Sequence, residues 1–468
     1  MSTALWTWGS LIGVTGGQAD GIPQSAITGV SIDTRSLVPG DLFVALKDQR
    51  DGHQFVTAAF RAGAAAALVG THYQRQPDDG ALLRVDDALH ALEDLGRVAR
   101  FRGKPRVIGV TGSVGKTGTK EMLRLCLATA GSVHASEKSY NNHWGVPLTL
   151  ARLPPAAQFG VFEIGMNHAG EITPLTRMVA PEVAVITTVE PVHLGHFASE
   201  VEIADAKAEI LLGLEPGGIA ILNRDNRHFE HLKNTAVTVD ARIVSFGTIE
   251  GCDVQARALD VNANGTDVTV TVAGRSIRYR VGAPGRHIAM NSLAVVAVLD
   301  CLGIDIETAL APLAAMPAPV GRGARQELAV QGGRILLIDE SYNANPASMQ
   351  AALATLGTVP RGDFLRRVAV LGDMRELGDQ AAALHRALSE PITASGIDLV
   401  LACGPLMRHL VDTLAGDRDG GWAPDSSQLV PRLQAAIRPG DAVMIKGSLG
   451  TNMAPLIKAV RDMALRVG

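Results

Sequence analysis

A glycine-rich segment between an apolar run and a helical pattern constrains this chain more than any other feature. Residues 107–117 read VIGVTGSVGKT, in which β-branched residues predict a buried strand and the glycines predict a tight turn. Residues 117–131 then predict a helix, whose N-terminus favours negative charge. The segment therefore predicts a cradle for phosphate groups. Its members are Gly112, Ser113, Gly115, Lys116, Thr117 and Gly118.

The spacing of this cradle is the short GxxGKT form, because Val110 stands where the longer phosphate-binding loop has glycine. In such loops the lysine contacts the β- and γ-phosphates and the following hydroxyl contacts Mg²⁺. We therefore assign these roles to Lys116 and Thr117.

Length and composition limit the class of protein. A chain of 468 residues with 47% hydrophobic residues is long enough for about three domains, each with its own core. The net charge is −4 and no basic run is present, which argues against nucleic acid and membrane surfaces as partners. The four cysteines have no metal-ligand spacing, so we expect reduced thiols rather than zinc or disulfides.

The N-terminal residues predict a cytoplasmic location. No Lys or Arg precedes Arg35, so the charged region of a signal peptide is missing. No apolar run approaches the roughly 18 residues that span a bilayer. We therefore expect no stable membrane insertion.

Changes in sequence pattern divide the chain into three α/β parts. Residues 1–85 predict a small unit of short strands and an alanine-rich helix. Residues 86–315 alternate strands and helices, as in a mostly parallel sheet, and contain the cradle and an antiparallel hairpin within 253–281. A Pro/Gly-rich linker at 316–324 leads into a Rossmann-like, doubly wound part that spans 316–468 and lacks GxGxxG.

Two candidate magnesium ligands follow strands of the central part. Glu163 ends the strand VFEIG, and His193 follows the apolar run VITTV. The carboxyl ends of parallel strands meet at one edge of the sheet, where α/β proteins bind their ligands. Both side chains are therefore expected near the cradle.

Eight motifs, of which the cradle is the first, resemble the Mur ligases of peptidoglycan synthesis in their order over nearly the whole chain. They are TGSVGKTGTKEM, NNHWGVPLTL, EIGMNHAGEI, HLGHF, DAKAEI, GRHIAMNSLAV, DESYNANPASM and LGDMRELG. SYNANP and LGDMRELG are most similar to the branch of the family that joins D-alanyl-D-alanine to UDP-N-acetylmuramoyl-tripeptide. The resemblance implies an ATP-dependent amide ligase that works through an acyl phosphate, and we expect a monomer.

The resemblance also implies roles for individual residues. It makes Lys116, Lys207 and His193 catalytic, and two Mg²⁺ ions would be held by Thr117, Glu163, His193 and a carbamate formed on Lys207 with CO₂. The implied ATP contacts outside the cradle are Asn291, Arg322, Asp339, Asn343 and Asn345. The implied contacts to the uridine nucleotide and its sugar–peptide are Thr34, Arg35, Asp51, His53, Asn141 and Asn142.

One residue departs from the family pattern, and two other functions stay open. The family commonly has Thr or Ser where this chain has Gly118, so either Thr119 replaces that hydroxyl or one phosphate contact is missing. A related ligase that adds a single amino acid, of the Mur or folylpolyglutamate type, is one alternative. The other is a nucleotide-binding regulator without ligase activity. The sequence leaves open whether the third peptide residue is diaminopimelate or lysine.

Overall fold

Three β-sheets, each covered by helices, make up the fold, which confirms the predicted α/β class. The computed structural model describes residues 4–48, 50–137, 139–191, 195–262, 264–318 and 320–464. In these ranges, no helix is long and apolar enough to cross a membrane.

A five-stranded sheet in the order β1-β5-β4-β3-β2 forms the N-terminal part, and only β1 runs antiparallel to its neighbour. The alanine-rich helix is predicted over residues 55–70, and its second half is wrong. The helix ends at Arg61, and Ala66–Gly70 form a strand that is buried at every position. A strand covered on both faces takes a continuous apolar run, so periodicity did not reveal it. The elements are α1 Trp8–Thr15, β1 Gln18–Asp20, β2 Gly29–Ser31, β3 Asp41–Val44, α2 Val56–Arg61, β4 Ala66–Gly70 and β5 Ala81–Val85.

A nine-stranded sheet forms the central part, in the order β14-β13-β12-β11-β10-β9-β6-β8-β7. The predicted hairpin is a three-stranded antiparallel extension of this sheet, β12–β14. The strands are β6 Arg106–Thr111, β7 Val133–Ala135, β8 Phe159–Glu163, β9 Val183–Ile186, β10 Ile219–Asn223, β11 Arg242–Gly247, β12 Val254–Asn262, β13 Gly265–Val272 and β14 Arg275–Val281. The helices are α3 Ala88–Arg102, α4 Lys116–Leu127, α5 Gly145–Ala151, α6 Ile172–Val179, α7 Glu200–Ala208, α8 Phe229–Thr238, α9 Arg286–Cys301 and α10 Ile306–Leu310.

A six-stranded sheet in the order β15-β16-β20-β17-β18-β19 forms the C-terminal part, and β15 alone is antiparallel. Its strands are β15 Ala324–Val330, β16 Gly333–Glu340, β17 Arg366–Gly372, β18 Leu399–Cys403, β19 Asp419–Ala423 and β20 Asp441–Lys446. Its helices are α11 Pro346–Gly357, α12 Ala381–Arg386, α13 Ser389–Ala394, α14 Arg408–Val411, α15 Ser426–Ala436 and α16 Ala454–Ala464.

A buried arginine on α3 ties this helix to the C-terminal end of α6. Arg100 Nε donates to the carbonyl of Val179 at 2.6 Å, and Nη2 donates to the carbonyl of Ala180 at 2.7 Å and to Glu215 at 2.8 Å. The two carbonyls lie at the end of α6, where helical partners are missing. Arg100 therefore satisfies polar groups that the packing of α3 removes from water.

We expect Arg100→Met to lower the free energy of unfolding by about 3 kcal/mol, because it leaves two carbonyls at the end of α6 without donors and leaves Glu215, which is 41% exposed, without its ion-pair partner. The urea midpoint measures this loss. Arg97→Met is the matched control on the same helix, because the Arg97 side chain is 45% exposed and its ion pair with Glu93 contributes at most about 0.5 kcal/mol. Equal midpoints for both variants would contradict this role for Arg100.

Candidate active site

The predicted cradle forms where β6 turns into α4, and two of its glycines have no substitute. Gly112 and Gly115 have φ of 143° and 92°, in the left-handed region. A Cβ on Gly112 would overlap the Thr187 hydroxyl, and one on Gly115 would lie 2.6 Å from the Asn291 amide. Glycine at these two positions therefore lets the loop pack against Thr187 and Asn291 and leaves its backbone N–H groups free of a side chain that would keep an anion away.

Ser113 fastens this loop to the segment that follows β9. Its backbone N–H donates to the carbonyl of Thr188 at 2.8 Å. Its hydroxyl donates to the carbonyl of Glu190 at 3.1 Å and accepts from the Glu190 N–H at 3.0 Å. These bonds fix the loop before any ligand binds.

Lys116 begins α4, and its side chain lies over the cradle. Its ammonium donates to the carbonyl of Gly112 at 2.6 Å. Desolvation in this half-buried position lowers the pKa of Lys116, while nearby Glu163 acts in the opposite direction. The ammonium lies where phosphate oxygens would replace the loop carbonyl as its partner.

Thr117 and Glu163 meet at the carboxyl ends of β6 and β8. The Thr117 hydroxyl lies 2.9 Å from Glu163 Oε2, and the Asn141 amide donates to Glu163 Oε1 at 2.7 Å. Mg²⁺ prefers oxygen ligands at about 2.1 Å in octahedral geometry, so adjacent ligands lie roughly 3 Å apart. The Thr117 and Glu163 oxygens therefore fit neighbouring positions around one Mg²⁺.

A cavity of about 550 Å³ opens from the cradle toward the C-terminal part. It brings together most of the predicted nucleotide and metal residues. Those on its walls are Ser113, Gly115, Lys116, Thr117, Gly118, Glu163, Asn291, Arg322, Asn343 and Asn345. The predicted substrate contacts Asn141 and Asn142 also line this cavity.

The charges on the cavity wall favour a ligand that arrives with cations. Among the described residues, carboxylates outnumber the Lys and Arg side chains. The cations are Lys116, Arg322 and Lys446, and the carboxylates are Glu163, Glu171, Glu190 and Glu340. A triphosphate alone would be repelled by the carboxylates, whereas a triphosphate with divalent metal ions balances them.

Among the residues that the C-terminal part adds to this cavity, the predicted contacts did not include Glu340, Tyr342 and Lys446. Lys446 ends β20, and its buried ammonium donates to the carbonyl of Asn343 at 2.9 Å and to Glu340 at 3.3 Å. The Arg322 guanidinium lies 4.2 Å above the ring of Tyr342. The sequence did offer a signal for Lys446 and Glu340, because each follows an apolar run that predicts a strand. The carboxyl ends of these strands face the cradle.

Two residues with a predicted nucleotide or phosphate role, Asp339 and Thr119, do not line the cavity. The Asp339 carboxylate accepts from the backbone N–H and hydroxyl of Ser341 at 3.1 and 2.6 Å and lies outside the cavity wall, where neighbouring Glu340 is found. Thr119 is fully buried, and its hydroxyl has no hydrogen-bond partner in the part of the chain that the structure describes. It does not take the place of a hydroxyl at Gly118, where a Cβ would meet open space.

Lys207 lies buried on α7 with 1% of its surface exposed, and it does not line the cavity. Burial lowers the pKa of its ammonium well below the ordinary value, and the charge of Lys116 adds to this effect. This direction favours the neutral amine more than in an exposed lysine, and the neutral amine is the form that reacts with CO₂. His193, the other predicted catalytic and metal residue, lies outside the described residues.

A second cavity of about 770 Å³ lies between the N-terminal and central parts. Thr34 and Arg35 line it, as the resemblance implies. Asp51 and His53 do not, because Asp51 accepts from the ring of His53 at 2.6 Å and the other ring nitrogen accepts from the N–H of Gly70 at 2.8 Å. These two residues brace the loop behind the cavity wall.

Comparison with known proteins identifies the family. The model of the Mur ligase middle domain matches residues 110–299, and that of the Mur ligase glutamate ligase domain matches residues 324–449. The UDP-N-acetylmuramoyl-tripeptide–D-alanyl-D-alanine ligase of Escherichia coli (strain K12) is 35% identical over 97% of this chain and 98% of its own. That of Bacillus subtilis (strain 168) is 33% identical over 94% and 95%.

Among solved structures, MurF from Acinetobacter baumannii matches 98% of this chain and 99% of its own with a TM-score of 0.84 and 30% identity. The cradle, the three sheets and these near full-length matches agree with one another. This chain belongs to the Mur ligase family.

Proposed function

We propose that this protein is the ATP-dependent ligase that joins D-alanyl-D-alanine to UDP-N-acetylmuramoyl-tripeptide. The product is the UDP-linked pentapeptide of peptidoglycan synthesis, made in the cytoplasm. The observation that carries the proposal is the cavity in which the phosphate cradle of the central part faces Lys446 and Arg322 of the C-terminal part. Similarity to the Escherichia coli ligase over almost the full length of both chains supports the choice of substrates.

The first step transfers the γ-phosphoryl group of ATP to the terminal carboxylate of the tripeptide. The bond between the γ-phosphorus and the bridging oxygen breaks, a bond to the carboxylate oxygen forms, and ADP leaves. Two anions must approach each other, so charge stabilisation and positioning dominate the barrier. Lys116 contributes from the cradle, while Arg322 and Lys446 contribute from the opposite wall.

In the second step the amine of D-alanyl-D-alanine attacks the acyl phosphate. A tetrahedral intermediate forms, its bond to phosphate breaks, and an amide remains. The ammonium loses two protons overall, one to the departing phosphate and one to solvent. Closure of the cavity between two parts of the chain protects the acyl phosphate from hydrolysis.

Metal ions complete the charge balance in this proposal. Bound Mg²⁺ would neutralise phosphate oxygens during transfer. Thr117 and Glu163 would hold one ion, and Asn141 orients the Glu163 carboxylate by its hydrogen bond of 2.7 Å. His193 and a carbamate on Lys207 are proposed as ligands of a second ion. The carbamate forms when the neutral amine of Lys207 bonds to the carbon of CO₂ and releases one proton.

The second cavity is proposed to hold the uridine nucleotide. Thr34 and Arg35 reach it from the N-terminal part. Arg35, Lys47 and Arg50 outnumber the carboxylates Asp33 and Asp48 among the described residues of this cavity, which favours a diphosphate. Asn141 and Asn142 lie on the wall of the first cavity, where the peptide end of the substrate would arrive.

The test is phosphate release from ATP and Mg²⁺ with UDP-N-acetylmuramoyl-tripeptide, with and without the dipeptide. We expect steady release only with D-alanyl-D-alanine, and a UDP-linked pentapeptide by mass spectrometry. Turnover with a single amino acid in place of the dipeptide would favour the related ligases. Nucleotide binding without release under any combination would favour the regulator.

Lys116→Ala should lower the ligation rate by about 100-fold or more, because the transferred phosphoryl group loses the half-buried cation of the cradle in the transition state. Lys458→Ala is the matched control, since this lysine side chain is 75% exposed on α16. Thermal unfolding shows whether both variants are folded. A folded Lys116→Ala protein with normal turnover would contradict the phosphate role of Lys116.

Removal of dissolved CO₂ should lower activity, and added bicarbonate should restore it, because the Lys207 carbamate depends on CO₂. After incubation with ¹³C-bicarbonate we expect a carbamate carbonyl resonance in the ¹³C spectrum of the native protein. That resonance should be missing from Lys207→Ala and present in Lys458→Ala. Full activity in CO₂-free buffer without the resonance would rule out the carbamate.

A further inference from the structure

A single short segment forms part of the wall of both cavities. Residues 139–144 run between β7 and α5 and divide their side chains between the two spaces. Ser139, Asn141 and Asn142 line the first cavity, and Tyr140, His143 and Trp144 line the second. Whatever occupies the second cavity therefore contacts the chain that forms a wall of the first.

On the first side the segment touches the metal-binding side chains directly. The Asn141 side-chain amide donates to Glu163 at 2.7 Å, and the backbone carbonyl of Asn141 accepts from the N–H of Gly165 at 2.8 Å. The Ser139 hydroxyl lies 3.5 Å from that of Thr117. A shift of this segment would therefore move the partners of both Thr117 and Glu163.

On the second side the segment presents a ring cluster. The Tyr140 and Trp144 rings lie 6.1 Å apart, and those of His143 and Trp144 lie 6.4 Å apart, both edge to face. Lys47 and Arg50 of the N-terminal part line the same cavity. A ligand with a planar base and a diphosphate matches rings beside cations.

The segment has little freedom to absorb a displacement within itself. A Cβ on Gly145 would lie 2.7 Å from the Tyr140 backbone, so the chain folds tightly on itself. The Asn142 side chain accepts from the N–H of Gly145 at 2.9 Å. The segment then enters α5, which is buried at all seven positions. Its two sides therefore move together.

We infer that residues 139–144 couple the two cavities, so that a uridine nucleotide in the second raises the affinity of the first for ATP. This inference rests on the proposed function. Contacts to Tyr140, His143 and Trp144 would fix the segment and hold the Asn141 amide on Glu163 in advance. ATP with Mg²⁺ then meets Thr117 and Glu163 with their hydrogen-bond partners already in position, so less of its binding energy is spent on placing them.

UDP alone is the decisive probe, because it lacks the N-acetylmuramoyl sugar and the peptide that would reach the first cavity. Titration calorimetry measures the affinity of AMP-PNP with Mg²⁺, with and without saturating UDP. We expect UDP to tighten AMP-PNP about fivefold, at the low end of coupling between sites, and AMP-PNP to tighten UDP equally. If only the full substrate has this effect, direct contact between ligands replaces coupling through the segment.

Asn141→Ala should bind UDP as well as the native protein does and lose the fivefold effect, since its link to Glu163 is gone. Asn167→Ala is the matched control, because Asn167 lines the first cavity outside the segment and the variant should keep the effect. His143→Ala tests the other side and should lose the effect without changing AMP-PNP affinity in the absence of UDP. Thermal unfolding shows that each variant is folded.

Three results would overturn the inference, and the ligation assay shows whether the proposed function fails as well. If UDP binds and leaves AMP-PNP affinity unchanged, or if Asn141→Ala keeps the effect, the coupling is refuted while ligation stands. If neither UDP nor UDP-N-acetylmuramoyl-tripeptide binds and no pentapeptide forms, the proposed function fails with it.

Discussion

The pairing of β6 with β8 is the constraint on which the site depends. The two strands run parallel with Val110 opposite Glu163, so the glycine turn after β6 leaves the sheet beside the carboxylate that ends β8. The turn brings Thr117 back to within 2.9 Å of that carboxylate. A one-residue shift in register would point Glu163 to the other face of the sheet and separate these two oxygens. Cradle and metal ligands are therefore products of one strand pairing.

The C-terminal sheet contributes what the cradle lacks. Lys446 ends the central strand β20 as Glu340 ends its neighbour β16, and the two strands pair in register, Glu340 opposite Lys446. The same rule of parallel sheets thus places charged residues on both walls of one cavity. Phosphoryl transfer between two anions needs cations on more than one side, and an acyl phosphate needs shelter from water. Two facing sheet edges meet both needs.

The sequence predicted features that depend on neighbouring residues and missed those that depend on contacts between residues far apart in the chain. The cradle and Glu163 were predicted from short patterns, because strand, turn and helix are local and their geometry follows from glycine and β-branched residues. Family membership was predicted from motif order and is confirmed by the comparisons. Strand β4 was missed, because a buried run of alanine and leucine has no period that separates strand from helix. Lys446 was missed, because its contact with Glu340 joins residues 106 apart in the chain.

Spacing in the sequence also does not show which polar residues line a cavity and which are buried. Asp51 and His53 satisfy each other, so polar residues in a loop that borders a cavity need not face it. Lys207 looks like a surface lysine in a helix, yet burial in the fold lowers its pKa and changes its chemistry. Burial is a tertiary property, and only the packed structure reveals it.

The measurement that tests the account most directly is trapping of the acyl phosphate with hydroxylamine. The protein is incubated with ATP, Mg²⁺ and UDP-N-acetylmuramoyl-tripeptide in the absence of the dipeptide. We predict ADP together with a hydroxamate at the terminal carboxylate of the tripeptide, identified by mass spectrometry. Pentapeptide formation in the complete mixture without any hydroxamate in this one would contradict transfer of the phosphoryl group to the carboxylate.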